Sequence, residues 1–104
     1  MNMLNLIIEE YISIVKILED SNSVENDRII IEREEFKNLL EKYAYMTFAK
    51  KTKIYKALNF IIHDKNNYTM PYKDSEQKKT VRKVIINYAT YTIVKEVYNT
   101  NVTS

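Results

Sequence analysis

At 104 residues the chain is sized for one small domain, which can bury a core but only a marginal one unless it also buries surface in an oligomer. It has no cysteine, no glycine and a single histidine, His63, which excludes disulfides and thiolate sites, argues against Gly-rich phosphate-cradling loops and leaves no cluster for zinc. The net charge of +2 conceals a split: residues 1–41 balance to −6, and residues 42–83 to +8, from eleven Lys and Arg against three acids. Such asymmetry is expected of a protein that binds a polyanion.

In chain order, the first segment predicts a helix over about 2–20, with polar residues confined to a narrow stripe. Its apolar arc is too wide for one contact surface. Leu4, Ile7, Ile8, Tyr11, Ile14, Val15 and Leu18 are therefore expected to serve a homodimer interface as well as the core. Glu9, Glu10 and Lys16 interrupt the segment, so it reads as neither a signal peptide nor a membrane span, and the lack of cysteine fits the cytoplasm.

Ile29, Ile30 and Ile31 predict a short strand within Arg28 to Glu32. Phe36, Leu39, Leu40 and Tyr43 then recur at spacings of three and four, predicting a second helix from Arg33. Glu32, Glu34 and Glu35 stand at its start, where they favour the helix dipole. After a break at Ala44 to Thr47, with Thr47 as N-cap, a third helix is expected over Phe48 to Ile62. On it Ile54, Ala57, Leu58 and Ile61 form the inner face, leaving Thr52, Tyr55, Lys56 and Asn59 outward and Lys53 at the flank.

A polar turn follows, and Asn67 to Lys73 alternates as an edge strand that contains Pro71. Asp74 to Lys78 reads as a hairpin loop and Lys79 to Tyr88 as the returning strand. Ala89 to Asn99 is expected to be helical, although its Thr, Val, Ile and Tyr also suit a strand, and a disordered tail is expected over 100–104.

Strand, helix, tight turn, helix and basic hairpin make an α+β order that resembles the winged helix-turn-helix family, here with an added N-terminal helix. The resemblance covers Arg28 to Tyr88: "RIIIEREEFKNLLEKY" as a strand feeding a helix, "TFAKKTKIYKALNFI" as the recognition helix and "NYTMPYKDSEQKKTVRKVIINY" as the wing. The single domain would span 1–99, with the helix-turn-helix at about 33–62 and the wing at about 67–88. The chain departs from many members in lacking glycines at its turns. Within the superfamily it is similar to TcpK-type accessory proteins of clostridial conjugative plasmids, which bind repeats at the origin of transfer. That resemblance implies a dimer on double-stranded DNA that assists other relaxosome proteins, performs no nicking and uses no cofactor.

For such binding Lys50, Lys51, Lys53, Lys56, Lys73, Lys78, Lys79 and Lys83 suit phosphate oxygens. Arg82 is the expected base reader, Asn59 and Asn67 can pair with adenine, and Thr52, Tyr55 and Thr69 offer further polar contacts. The hairpin is expected to be the centre of the interface, with the third helix alongside. No nucleophile and base, carboxylate pair or metal cluster can be assembled, so enzyme chemistry is not expected. A phage or plasmid repressor, or a winged-helix regulator that binds protein, remains the alternative.

Overall fold

Asn2 starts the first helix, α1 (Met3–Ser21), by accepting from the Asn5 backbone N–H at 2.8 Å through its side chain. The computed structural model that shows this describes residues 2–74, 76 and 78–103. Met1, Ser75 and Gln77 of the expected hairpin loop, and Ser104 of the expected tail lie outside the described residues. A tight turn at Asn26 and Asp27 (φ 53° and 59°) leads into β1 (Arg28–Ile31). In this glycine-free chain these are residue types that tolerate the left-handed region, as a two-residue hairpin turn requires.

The next two helices are α2 (Arg33–Glu41) and α3 (Phe48–Ala57), the latter capped by the Thr47 hydroxyl accepting from Lys50 N–H at 3.3 Å. Helix α3 stops at Ala57, well short of the expected Ile62. Asn59 adopts φ 59°, Phe60 N–H bonds the Tyr55 carbonyl at 2.9 Å, and Asn59 N–H bonds the Lys56 carbonyl at 3.1 Å. This is a Schellman C-cap with its usual apolar contact, the Tyr55 and Phe60 rings meeting edge to face at 5.3 Å. The β-branched pair that follows becomes β2 (Ile61–Ile62).

Strands β3 (Met70–Asp74) and β4 (Lys79–Asn87) form the hairpin. Long strand β4 organises the antiparallel four-strand sheet: its first half pairs with β3, and its second half lies between β1 and β2. Helix α4 (Tyr88–Thr103) then follows without a gap and runs through residues 100–103, where a disordered tail was expected. Asn87 caps it by accepting from Thr90 N–H at 3.1 Å. Among the described residues the fold is α+β, with four helices and this one sheet, and no helix is long and apolar enough to cross a membrane.

Tyr11 lies at the centre of the core. Its ring stacks on Phe60 at 3.8 Å between centroids and meets Tyr55 and Tyr91 edge on. Its hydroxyl donates to the Asn87 carbonyl at 2.6 Å, which joins α1 to the end of β4. The wide apolar arc of α1 is thus covered largely by the chain itself. Ile7, Tyr11, Ile14, Val15 and Leu18 are buried in the monomer core, which corrects their expected place in a dimer interface. Only Leu4 (52% exposed) and half-buried Ile8 stay near the surface. The covering element is α4, held to α1 by tyrosine–carboxylate bonds: Tyr88 to Glu19 at 2.6 Å, and Tyr98 to Glu9. The bond to Glu19, with burial, pushes the Tyr88 phenol up to about 12.

Two charges lie inside this core. Glu10 of α1 is 2% exposed and Lys51 of α3 is 1% exposed. The Lys51 ammonium donates to Glu10 Oε2 and to the Leu40 carbonyl, each at 2.6 Å, and to the Tyr43 carbonyl, using all three protons. Tyr55 donates to Glu10 Oε1 at 2.8 Å, and burial first, then the Glu10 charge, pushes its phenol well up. Removing one partner leaves an uncompensated charge in a dry site, at a cost of about 3–5 kcal/mol. Glu10→Ala is therefore expected to lower the urea-unfolding free energy by about that amount. The paired replacement Glu10→Leu with Lys51→Met should recover most of the loss, and failure to recover it would show that the ion pair is not the source.

Candidate nucleic-acid interface

The buried pair fixes the rotation of α3, and so decides which of its side chains reach solvent. Lys51, Thr52 and Tyr55 face inward, at 1%, 8% and 0% exposure, and Phe48 is half-buried beside them. These expected DNA contacts are corrected: Thr52 donates its hydroxyl to the Ala49 carbonyl at 2.9 Å, and Lys51 and Tyr55 are committed to Glu10. Ala57 and Leu58, expected inward, are exposed. The solvent face of α3 consists of Ala49, Lys50, Lys53 and Ala57, with half-buried Lys56 at its edge. Phe48 and Tyr55, seven residues apart with Lys51 and Thr52 between them, are the sequence signal of the true inner face.

Arg82 is placed differently from the expectation of a free fork. Its Nε donates to Thr69 Oγ1 at 2.8 Å, and its Nη2 donates to the Thr69 carbonyl and to Asp64 Oδ2, each at 2.8 Å. Thr69 is 4% exposed, which removes it too from the surface list. The guanidinium thus ties the base of the hairpin to the segment that follows β2. The reason is strand alternation: Arg82 shares the inner side of β4 with Val84 and Ile86, where a charge needs partners. Lys83, on the outer side, bonds Glu32 Oε1 at 2.7 Å and lies 5.2 Å from the Tyr72 ring centroid. Asp64 and Glu32 are thus partners that reading the cations alone had missed.

The remaining expected contacts are at the surface. Lys73, Lys78 and Lys79 are exposed around the hairpin end, Lys78 in a left-handed turn conformation (φ 53°). Asn67 is exposed, and so is Asn59, whose backbone carbonyl accepts from Asn87 Nδ2 at 3.0 Å. Lys50, Lys53, Lys73, Lys78 and Lys79 carry no short ion pair among the described residues. Point charges of this kind neutralise phosphates and discriminate little between bases. No group of three metal-ligating side chains occurs among the described residues.

The Asp64 carboxyl is held below its ordinary 3.8, first by its hydrogen bond from Arg82. A depressed carboxylate contributes stability that is present above the unfolded midpoint and lost as pH falls through the lower folded one. In a carboxyl-resolved NMR titration Asp64 is expected to titrate below 3.8 and to move back up in Arg82→Ala. An unchanged midpoint in the variant would dissolve the clamp. Compared with known proteins, the chain matches no protein-family model, and no curated protein matches it.

Proposed function

We propose that the protein is a winged helix-turn-helix DNA-binding protein that engages a duplex site as a homodimer, as an accessory factor at a plasmid origin of transfer. The observation that carries the reading is a set of exposed lysines with no short ion pair among the described residues: Lys50 and Lys53 on α3, and Lys73, Lys78 and Lys79 on the hairpin that follows it in the chain. The order α1, β1, α2, α3, hairpin, α4 and the sheet order β1-β4-β2 are compatible with a winged helix carrying extra terminal helices. The transfer role rests on the resemblance to TcpK-type accessory proteins. On this reading the lysines supply affinity, and Arg82 braces the base of the wing against the segment that follows β2. Base readout falls to Asn59, Asn67 and the short outward side chains of α3.

The dimer contact moves with the corrected α1 assignment. Exposed Ile93 and Val97 (63% and 55%) line an apolar hollow of about 290 Å³ with Asn5, Ile8, Val94 and Tyr98, and Leu4, one turn before Ile8 on α1, is 52% exposed. Ala89, Ile93 and Val97 form an i, i+4 ridge on α4, the kind of row that packs against its own copy across a two-fold axis. An apolar surface of this kind is also where a protein-binding regulator would hold its partner.

A salt titration on duplex DNA tests the first half. The slope of log K on log salt should be about 0.9 per phosphate engaged, and replacing Lys53 and Lys79 together by Ala should flatten it by about 2 units. The same double change made at exposed Lys16 and Lys37 should leave it nearly unaltered, and a slope near zero in the wild type would remove the polyanion reading. For the second half, light scattering should give twice the chain mass, falling to the chain mass in Ile93→Asp with Val97→Asp. A monomeric wild type would leave the α1–α4 surface to another protein.

A further inference from the structure

The outer side of the sheet, opposite the helices, carries a feature that duplex binding does not use. Glu25 and Arg28 face each other across the Asn26–Asp27 turn and exchange both backbone hydrogen bonds, each at 3.0 Å. Oppositely charged side chains so placed ordinarily attract. These two form no ion pair among the described residues. Both border a hollow of about 190 Å³, together with Asn22, Ser23, Ile30 and Tyr72.

Tyr72 and Ile30 are each 38% exposed, so an aromatic ring, which also has the Lys83 ammonium 5.2 Å from its centroid, and an aliphatic side chain offer apolar surface to a planar ligand. At about 190 Å³ the hollow has room for one heterocycle. Asn22 spends its amide protons on the Leu18 carbonyl and Ser21 Oγ (3.0 and 3.2 Å), which leaves its oxygen as an acceptor. The polar lining therefore comprises acceptors at Glu25 and Asn22, a fork of donors at Arg28, and the adaptable Ser23 hydroxyl.

We propose that this hollow binds an unpaired guanine base, with Tyr72 as stacking platform, Glu25 accepting from N1–H and the N2 amino group, and Arg28 donating to O6. Guanine alone among the bases presents two neighbouring donors on its pairing edge, matching the two oxygens of one carboxylate. Thymine would turn two carbonyl oxygens toward Glu25, and cytosine and adenine each offer a single donor group beside a ring acceptor. Strand alternation puts Lys79 on the same side as Tyr72, where it can meet the phosphate of the strand that delivers the base. The inference rests on the DNA-binding reading only for that delivery.

The probe is a short oligothymidylate with one central guanine, compared by fluorescence anisotropy with the same strand carrying hypoxanthine or an abasic position there. The wild type should prefer guanine over the abasic strand by about 5- to 100-fold, the range of one base–aromatic stack. Hypoxanthine, which lacks the N2 amino group, should fall between. Tyr72→Ala and Glu25→Gln should each abolish most of the preference while Tyr72→Phe retains it, with thermal midpoints near wild type because both positions are exposed. Equal binding of the three strands, or a guanine preference that survives Tyr72→Ala, would overturn the site. A parallel titration on duplex DNA separates the two readings: loss of duplex binding with the guanine preference intact defeats the duplex function and upholds this site.

Discussion

The Glu10–Lys51 ion pair lies where α1, α2 and α3 meet, and the arrangement of the helical layer depends on it. An ammonium removed from water must have every proton accepted, and here one acceptor comes from α1 and two are carbonyls at the end of α2 and just beyond it. The bond therefore joins three helices at one atom. It also gives a charged donor to one carbonyl at the end of α2, that of Leu40, where the last turn has no basic residue of its own. Tyr55 completes the arrangement by holding the other carboxylate oxygen, so both Glu10 oxygens are occupied.

That commitment has consequences at the surface. Turning Lys51 and Tyr55 inward carries Lys50 and Lys53 outward, because at ~100° per residue Lys53 lies ~160° round the helix from both and Lys50 lies ~100° and ~140° from them. The same logic operates in the hairpin, where alternation sends Arg82 toward the core side and Lys83 and Lys79 to the other. In both elements acids recruited from distant parts of the sequence, Glu10 for α3 and Asp64 and Glu32 for the hairpin, claim a cation each. The basic stretch is thereby sorted into structural cations and free ones. The free ones are the group that a polyanion can reach.

Glycine is absent throughout, and the turns show how the chain manages. Asn26, Asp27, Asn59 and Lys78 take positive φ. Three of these are Asn or Asp, whose short polar side chains tolerate that region, and Asn59 uses it to end α3 and free Ile61 and Ile62 for the sheet. Apolar spacing continues through Leu58 and Ile61 and so predicts a helix on to Ile62, which the Schellman cap at Asn59 overrides.

Periodicity and local chemistry were enough to place α1, β1, α2, the start of α3 and the two hairpin strands, since each has a strong apolar pattern or a recognisable cap, whereas the Thr, Val, Ile and Tyr of α4 suit helix and strand alike. Composition alone also separated an acidic front from a basic middle. What sequence could not reveal was which polar residues would be buried, because that depends on partners far along the chain: Glu10 lies forty-one positions from Lys51, and Asp64 eighteen from Arg82. Nor could it reveal that α4 would cover α1, since the Tyr98–Glu9 and Tyr88–Glu19 bonds join the two ends of the chain. Hydrophobic spacing is a local property and survives in the sequence. The satisfaction of a buried charge is a property of the assembled fold, and only tertiary structure decided which lysines, and which arginine, remained for solvent.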